Sequence, residues 1–485
     1  MLTTKTVKLR KVERIRPDNF EQEDHFYPKA LNSQLHPLVS NFLNLDHERI
    51  IKRYSHLNPQ ICTDTLRDIL SYETQHFFWG GSDLFYVTTE AGNRRMVILE
   101  TNSCPSGQKS MPPRTDADEH RGYKFLIENS FIPALKKRKK RLPKGSLAVI
   151  YDKNYMETSG YASTIADLTG EDVYLIPHFH GEEQFITFED GVMQLKLETG
   201  EIIPIRAAFR YVTQKPWNRI PATTKTFIYN STRVCLAGGR NKLLANKAYE
   251  LYNSELAESG LRINMPETIK DVNKLAVPLW VQKFGGKAVI KIPYSNAGQG
   301  VFTVTNQDEL DAFMQMDYPY DQFIVQSLIG HYEWSSTSEH GKFFHIGTVP
   351  NKKGNIYIAD LRLMVYNSPS KGFMPCAVYA RRARKPLEAD YPKNSWDVLG
   401  TNLSVKTGEN QWDSDTSRLM LMDRKDFNSL GIGTDDLIEA YIQTVLTIVA
   451  IDKMAQYLSN KKGGFKKKLF KTLDNDESLF NEIMF

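Results

Sequence analysis

Apolar and polar positions alternate along two stretches in the first quarter of the chain. Residues 83–87 have the pattern of a strand, residues 90–93 (EAGN) that of a turn, and residues 96–99 that of a returning strand. A helical periodicity precedes them over residues 64–78 and ends at a Gly-Gly pair. The pattern therefore predicts a helix followed by a β-hairpin.

The next segment alternates between strand and helix periodicity. Residues 147–152 form a buried-type strand, residues 160–168 a helix, and residues 172–176 a second strand. This β–α–β order predicts a small parallel sheet. Alternating residues 192–205 turn at residues 198–200 and continue the strand-rich pattern, so we assign 142–228 to one α/β domain.

The second half of the chain continues as a mixture of helices and strands. Helices are predicted at residues 241–253, 308–314 and 435–458, and strands at 288–292, 301–304, 322–326, 343–349, 356–365 and 374–380. The predicted fold class is α/β (α+β).

Composition narrows the possible functions. The chain has 485 residues, 41% of them hydrophobic, which is enough for two to four packed domains. A net charge of +5 is too small to indicate nucleic acid, and no apolar run reaches the length of a membrane span. Residues 1–17 lack the apolar region of a secretory signal.

The cysteines and two basic runs do not indicate a catalytic or metal-binding site. The four cysteines are scattered, without a Cys-x-x-Cys pair, which argues against zinc and against disulfides and indicates a reducing cytoplasm. Residues 136–141 (KKRKKR) and the Lys-rich stretch 461–471 are typical of solvated helix ends or linkers. Nuclear targeting or polyanion contact is the alternative for the first run.

A loop of small residues lies between the strands at 288–292 and 301–304. It runs from Ser295 to Gly300, includes Gly298, and follows Lys291 on the first strand. Small residues let backbone N–H groups approach an anion, and a nearby lysine adds positive charge. The stretch is consistent with a phosphate-binding loop, and the alternative is a hairpin whose lysine faces water.

Three oxygen-bearing side chains stand at matched places on the first hairpin. Asp83 lies on one strand, and Glu100 and Asn102 lie at the end of its neighbour, on one face by alternation. Carboxylate and amide oxygens are ligands that Mg²⁺ accepts. The hairpin is a candidate metal site, and an ordinary hairpin with a polar solvent face is the alternative.

Taken together, the centre and right half of the chain resemble the ATP-grasp superfamily of carboxylate–amine ligases. Lys242 and Lys291 match its two nucleotide-binding lysines, and Ser295 to Gly300 its mobile loop. The resemblance implies that the nucleotide site also includes the hinge and ribose positions and an Asp-x-Arg…Arg-Arg…Asn run, namely Gln326, Ser327, Ile329, Glu333, Asp360, Arg362, Arg381, Arg382 and Asn402.

One part of the family pattern is displaced. A Glu-x-Asn metal motif is expected after Asn402, but the chain carries its counterpart at Glu100–Thr101–Asn102. The resemblance is therefore to the circularly permuted group, with a small pre-ATP-grasp α/β domain. It implies a metal hairpin in segment 1–125, the pre-ATP-grasp domain at 142–228, nucleotide-binding subdomains at 229–425 and a helical segment at 426–485.

The resemblance implies an ATP- and Mg²⁺-dependent ligase that forms an amide or peptide bond through an acyl phosphate. Its partners would be a small-molecule carboxylate and an amine, amino acids or peptides among them. Lys242 and Lys291 would bind phosphates, and Arg362 with Arg382 or Arg381 would hold the transferred phosphoryl group. A kinase on the same fold and a non-catalytic nucleotide-dependent binding protein are the alternatives.

Overall fold

The computed structural model describes residues 10–115, 119–213, 215–295, 298, 300–339, 341–408 and 411–484, with the backbone alone at 405–408 and 411–413. Within these residues the strands form four sheets, and helices pack between and around them. The predicted α/β fold class is therefore confirmed. In the same part of the chain, no helix has both the length and the apolar character that crossing a membrane requires.

The first sheet contains the predicted β–α–β unit. Its strands β4 and β5 are parallel and flank helix α8 in the chain, which confirms the predicted parallel sheet. The strand order is β1-β5-β4-β8-β7-β6, with β9 paired to β8. The strands are β1 (Glu13–Ile15), β4 (Ser146–Tyr151), β5 (Val173–Pro177), β6 (Ile186–Glu189), β7 (Val192–Lys196), β8 (Ile202–Tyr211) and β9 (Phe227–Tyr229), and α8 spans Tyr155–Thr169.

The second sheet is antiparallel and carries Lys291 at the end of a strand. Its order is β10-β13-β11-β12, so β11 is paired on both sides. The strands are β10 (Thr268–Asn273), β11 (Ala288–Lys291), β12 (Val301–Val304) and β13 (Gln322–Ser327). A separate pair consists of β17 (Ser404–Gly408) and β18 (Gln411–Ser414).

The central sheet joins the beginning of the chain to its second half. Its order is β14-β2-β15-β16-β19. Strand β3 lies off this path and pairs with β2. The strands are β2 (Trp79–Thr89), β3 (Arg94–Asn102), β14 (Phe343–His345), β15 (Ala359–Ser368), β16 (Gly372–Arg382) and β19 (Leu419–Met420). The predicted hairpin is thus β2–β3, and it pairs directly with β15.

Short helices surround these sheets, and one long helix packs against the central sheet. The first two thirds of the chain hold α1 (Gln22–His25), α2 (Pro28–Leu31), α3 (Pro37–Leu43), α4 (His47–Leu57), α5 (Thr63–Ser71), α6 (Gly122–Leu126), α7 (Ile132–Arg138), α9 (Thr232–Val234), α10 (Lys242–Glu255), α11 (Val277–Lys283) and α12 (Gln307–Gln315). The remainder holds α13 (Ser395–Leu399), α14 (Arg424–Leu430), α15 (Thr434–Tyr457), α16 (Lys467–Leu473) and α17 (Glu477–Ile483).

Helix α15 is the centre of the core. Most of its 24 residues are buried, as expected of a helix that is apolar on all sides. Two of its polar side chains bind the hairpin strands: Thr447 Oγ1 lies 3.1 Å from Ser82 Oγ on β2, and Glu439 Oε1 accepts from the Met96 N–H on β3 at 3.1 Å. The helix therefore holds both strands of the hairpin in position.

The predicted helix over residues 64–78 is too long. Helix α5 ends at Ser71, and the segment beyond it is held in an irregular conformation by the buried Asp452 carboxylate of α15. That carboxylate accepts from the N–H groups of Gln75, His76 and Phe77. A side chain more than 370 positions away thus replaces the hydrogen bonds that a helix would have made.

A buried aspartate ties the end of the chain to both lysine-bearing elements. Asp474 accepts from Tyr294 Oη at 2.6 Å and from Asn241 Nδ2 at 2.8 Å. Asn241 is the N-cap of α10, which begins with Lys242, and Tyr294 follows the strand of Lys291. Burial raises the pKa of Asp474 to about 6, although the hydrogen bonds from Tyr294 and Asn241 oppose the shift.

This raised pKa predicts a pH-dependent stability. Because the folded carboxyl holds its proton more tightly than the unfolded one, its contribution is lost as pH rises through its folded pKa of about 6. Between pH 4 and 6 the free energy of unfolding of the wild type should fall by about 2–3 kcal/mol relative to Asp474→Asn. Urea titrations at several pH values measure the difference, and parallel pH profiles of the two proteins would contradict the assignment.

Candidate functional site

One large cavity opens where the central sheet, the second sheet and the carboxyl end of β4 meet. Its volume is about 650 Å³, and charged side chains line both of its ends. The described lining includes most of the residues singled out in the sequence, namely Asp83, Glu100, Asn102, Lys242, Lys291, Gly298, Gln326, Ser327, Ile329, Asp360, Arg362, Arg381 and Asn402. Segments from distant parts of the chain therefore contribute to a single site.

The floor of the cavity is a buried cluster of two arginines and two aspartates on three adjacent strands. Arg362 binds both carboxylate oxygens of Asp83, Nε to Oδ1 at 2.5 Å and Nη2 to Oδ2 at 2.6 Å. Arg381 donates to Asp83 Oδ2 at 2.8 Å and forms an ion pair with Asp360. Burial alone would raise the pKa of Asp83, but the two arginines hold it well below its ordinary range.

Strand register explains this cluster. Asp83 on β2 lies opposite Arg362 on β15, and Asp360 on β15 lies opposite Arg381 on β16. Side chains of residues 360 and 362 share one face of the sheet because strand side chains alternate. Arg381, the register partner of Asp360, lies on that face, and its neighbour Arg382 lies on the other face.

The ends of the hairpin strands bring the predicted metal residues to the cavity. Asp83 and Glu100 are register partners, and Asn102 donates from Nδ2 to Glu100 Oε1 at 3.2 Å. Asn102 Oδ1 also accepts from Arg240 Nη1 at 2.8 Å. Burial would raise the pKa of Glu100, but the charges of Lys242, Arg362 and Lys291 hold it below its ordinary value.

Both predicted lysines reach the same place. Lys242, the first residue of α10, lies 3.6 Å from Glu100 Oε2 and donates to the carbonyl oxygen of Ser295 at 2.8 Å. Lys291 is buried, and its Nζ donates to the carbonyl oxygen of Leu99 at 3.1 Å. Burial and the neighbouring Lys242 charge lower the pKa of Lys291 to about 8.

The loop and hinge residues border the same cavity in part. Gly298 has a φ of +75°, and a Cβ there would lie 3.2 Å from Asn402 Nδ2, so this position favours glycine. Gln326 is buried, and its Nε2 donates to Thr268 Oγ1 at 2.8 Å. Ser295 and Gly300 stand beside the lining rather than in it, with Ser295 in contact with Lys242.

Two more predicted positions, Arg382 and Glu333, lie outside the described lining. Arg382 stacks over the ring of Tyr357 at 4.6 Å on the opposite face of β16, so Arg381 is the arginine of the pair that reaches the cavity. Glu333 is exposed on the short turn Tyr332–Trp334, because that turn buries Trp334, whose Nε1 donates to the Glu388 carbonyl. Glu333 does not belong to the described lining, and its ribose role stays a prediction.

The sequence did not predict that the loops after β3 and β4 line the cavity. We call this part of the cavity its outer end. It is lined by loops that follow β3 and β4, with Tyr27, Phe179 and Arg240 beside them. Its polar lining includes Lys109, Lys153 and Asn154. The available signal was positional, since Asp152–Asn154 directly follow a parallel strand, where open α/β sheets place ligands.

No family model matches the chain, and a search of curated proteins finds no match. Among solved structures the chain is similar to a RimK domain protein ATP-grasp from Sphaerobacter thermophilus DSM 20745, with 14% identity over 51% of this chain and 92% of that one and a TM-score of 0.30. It is similar to a glutathione synthetase like-effector from Globodera pallida, with 7% identity, coverages of 72% and 86% and a TM-score of 0.38.

A third solved structure is D-alanyl-alanine synthetase A from Vibrio cholerae O1 biovar eltor, with 11% identity over 53% of this chain and 94% of that one. Its TM-score is 0.29. Because these TM-scores are low, the function proposed for this chain depends on the residues of its own cavity.

The buried ion-pair cluster predicts a large loss of stability on removal of its shared acid. Asp83→Asn leaves two buried arginines with Asp360 as their remaining carboxylate in the cluster, so the free energy of unfolding should fall by about 3–5 kcal/mol. Asp435→Asn is the matched control, because Asp435 pairs with Arg53 at the surface and its loss should cost at most about 1 kcal/mol. Equal costs in denaturant titrations would contradict this account of the cluster.

Proposed function

We propose that this protein is an ATP- and Mg²⁺-dependent ligase that joins a small-molecule carboxylate to an amine, on an ATP-grasp fold in the circularly permuted arrangement. One observation carries the proposal. The hairpin near the beginning of the chain, Lys242, Lys291 and the arginines of β15 and β16 line one cavity of about 650 Å³. Pairing of β2 with β15 supports the permutation, because it places the predicted metal motif in the sheet of the arginines.

The two lysines suit the phosphates of ATP. Lys291 is a buried ammonium whose described hydrogen bond goes to one carbonyl oxygen, and its lowered pKa of about 8 reflects poor solvation of its charge. An anion placed beside it would restore that solvation and raise its pKa. Lys242 lies beside Glu100 and adds a second positive charge to the proposed phosphate site.

The oxygen donors of the hairpin end fit a magnesium ion in part. Glu100 offers a carboxylate at the edge of the cavity, and Asn102 offers an amide oxygen that accepts one hydrogen bond, from Arg240, whereas the two oxygens of Asp83 accept three hydrogen bonds from arginines. Mg²⁺ commonly uses one or two protein carboxylates and completes its shell with water and phosphate oxygens. We therefore assign Glu100 and Asn102 as ligands and Asp83 as the residue that orients the arginines. When bound, the ion supplies positive charge beside the phosphates.

Arg362 and Arg381 would act on the reacting groups. Both are fixed in orientation by carboxylates, and both line the cavity, so their guanidinium groups form a preorganised positive floor. In the proposed reaction, the carboxylate substrate takes the terminal phosphoryl group of ATP as ADP leaves, and the amine then displaces phosphate. Planar guanidinium donors match the oxygens of a phosphoryl group and of a carboxylate.

The lysine assignment predicts weaker nucleotide binding after Lys291→Met. Loss of a charge-assisted phosphate contact should lower the affinity for a non-hydrolysable ATP analogue about tenfold or more, measured by calorimetry. Lys287→Met is the matched control, because Lys287 precedes the same strand and does not belong to the described lining. A folded Lys291 variant that binds as tightly as the wild type would refute the nucleotide site.

The metal assignment predicts that Glu100→Gln lowers magnesium-dependent ADP formation roughly 100-fold while the fold is retained. Amino acids supplied alone and in pairs provide the carboxylate and the amine, and mass spectrometry identifies the product. Glu90→Gln, at the exposed turn of the same hairpin, should leave the rate unchanged. A stable phosphorylated product from one acceptor would assign a kinase instead, and wild-type rates in the Glu100 variant would contradict the metal site.

A further inference from the structure

Two lysines line the outer end of the cavity, beside Arg240, whose Nη1 donates to Asn102 Oδ1 of the hairpin. Lys109 is 8% exposed, and its Nζ lies 4.8 Å over the ring of Tyr27 and donates to Asn154 Oδ1 at 3.4 Å. Lys153 follows β4 directly and lines the same end. In the part of the chain that the structure describes, neither lysine has a carboxylate within ion-pair distance.

The acid next to Lys153 in the chain is hydrogen-bonded to other groups. Asp152 is adjacent to Lys153, but its carboxylate accepts from the Thr213 N–H at 3.0 Å and from Thr213 Oγ1 at 2.6 Å. It also accepts from Arg219 Nη2 at 3.0 Å, in an ion pair that is almost fully buried. The hydrogen-bonding capacity of this carboxylate is largely used inside the protein, so it leaves the lysine charges facing the cavity.

The electrostatic environment of Lys153 agrees with this geometry. Burial, followed by the positive charge of Arg240, lowers the pKa of Lys153 to about 8. Arg362 also contributes to the lowering, which places Lys153 within electrostatic range of the arginine floor. A group held between these cations would therefore extend toward the reacting end of the cavity.

We propose that Lys109 and Lys153, together with Asn154, bind an anionic group on the carboxylate substrate, distinct from the carboxylate that reacts. The substrate class is then a small molecule with two acidic groups, the second one a carboxylate or a phosphate monoester. This assignment rests on the proposed ligase function, since it names the substrate of that site. Tyr27 and Phe179 line the same end and offer apolar surface to the carbon skeleton.

Binding of matched amino acids tests the proposal without requiring turnover. Calorimetry measures glutamate against glutamine, aspartate against asparagine, and O-phosphoserine against serine, with and without the ATP analogue and Mg²⁺. At least one acidic probe should bind tenfold or more tightly than its neutral counterpart. The carboxylate and phosphate pairs distinguish the two kinds of anionic group. Lys153→Met should remove that preference, and Lys153→Arg should retain most of it.

The control is Lys352→Met, which removes an exposed lysine outside the described lining. It should leave the binding of every probe unchanged. Equal binding of acidic and neutral probes, or a preference that survives both Lys153→Met and Lys109→Met, would overturn the assignment. Nucleotide affinity is measured in the same proteins and should change less than twofold. A wild type that binds the ATP analogue but shows no acidic preference refutes this subsite alone, whereas failure to bind the analogue refutes the proposed function.

Discussion

The structure depends on burying four charges between three strands that are far apart in the chain. Taking Arg362, Arg381, Asp83 and Asp360 out of water is costly, and the cost is offset only while every partner is in place. The strands β2, β15 and β16 must therefore keep one register, because a shift by one residue would move each charge to the wrong face. The central sheet is consequently both the scaffold and the floor of the cavity.

Elements far from this cluster serve the same site by holding its edges. Helix α15 fixes the hairpin through Thr447 and Glu439 on one side of the sheet. The segment after it returns to the cavity and uses Asp474 to bind the N-cap of α10 and the residue three positions beyond Lys291. Both lysines are thus positioned from the last part of the chain, although neither contacts it directly through its own ammonium group in the described contacts.

Local pattern was sufficient for most strands and for the order of the site residues. The hairpin, the parallel unit at β4 and the strand of Lys291 follow from alternation and turn residues that lie next to them. The choice between Arg381 and Arg382 could not be made, because it depends on the register of β16 against β15 and on a register shift within that pair. The end of α5 was missed for a similar reason, since the N–H groups of the segment after it donate to Asp452, which is distant in the chain.

The cavity differs in charge compensation from one end to the other. At the floor each arginine faces an aspartate, and near the hairpin Lys242 faces Glu100, whereas the described hydrogen bond of Lys291 goes to a carbonyl oxygen. At the outer end Lys109 and Lys153 have no such partner among the described carboxylates, and Asp152 is bound elsewhere. Placing uncompensated cations in a poorly solvated site lowers stability, and such positions are typical of binding sites rather than of cores. The paired arginines of the floor therefore supply rigid geometry, and the lysines without a paired carboxylate supply the attraction for anions.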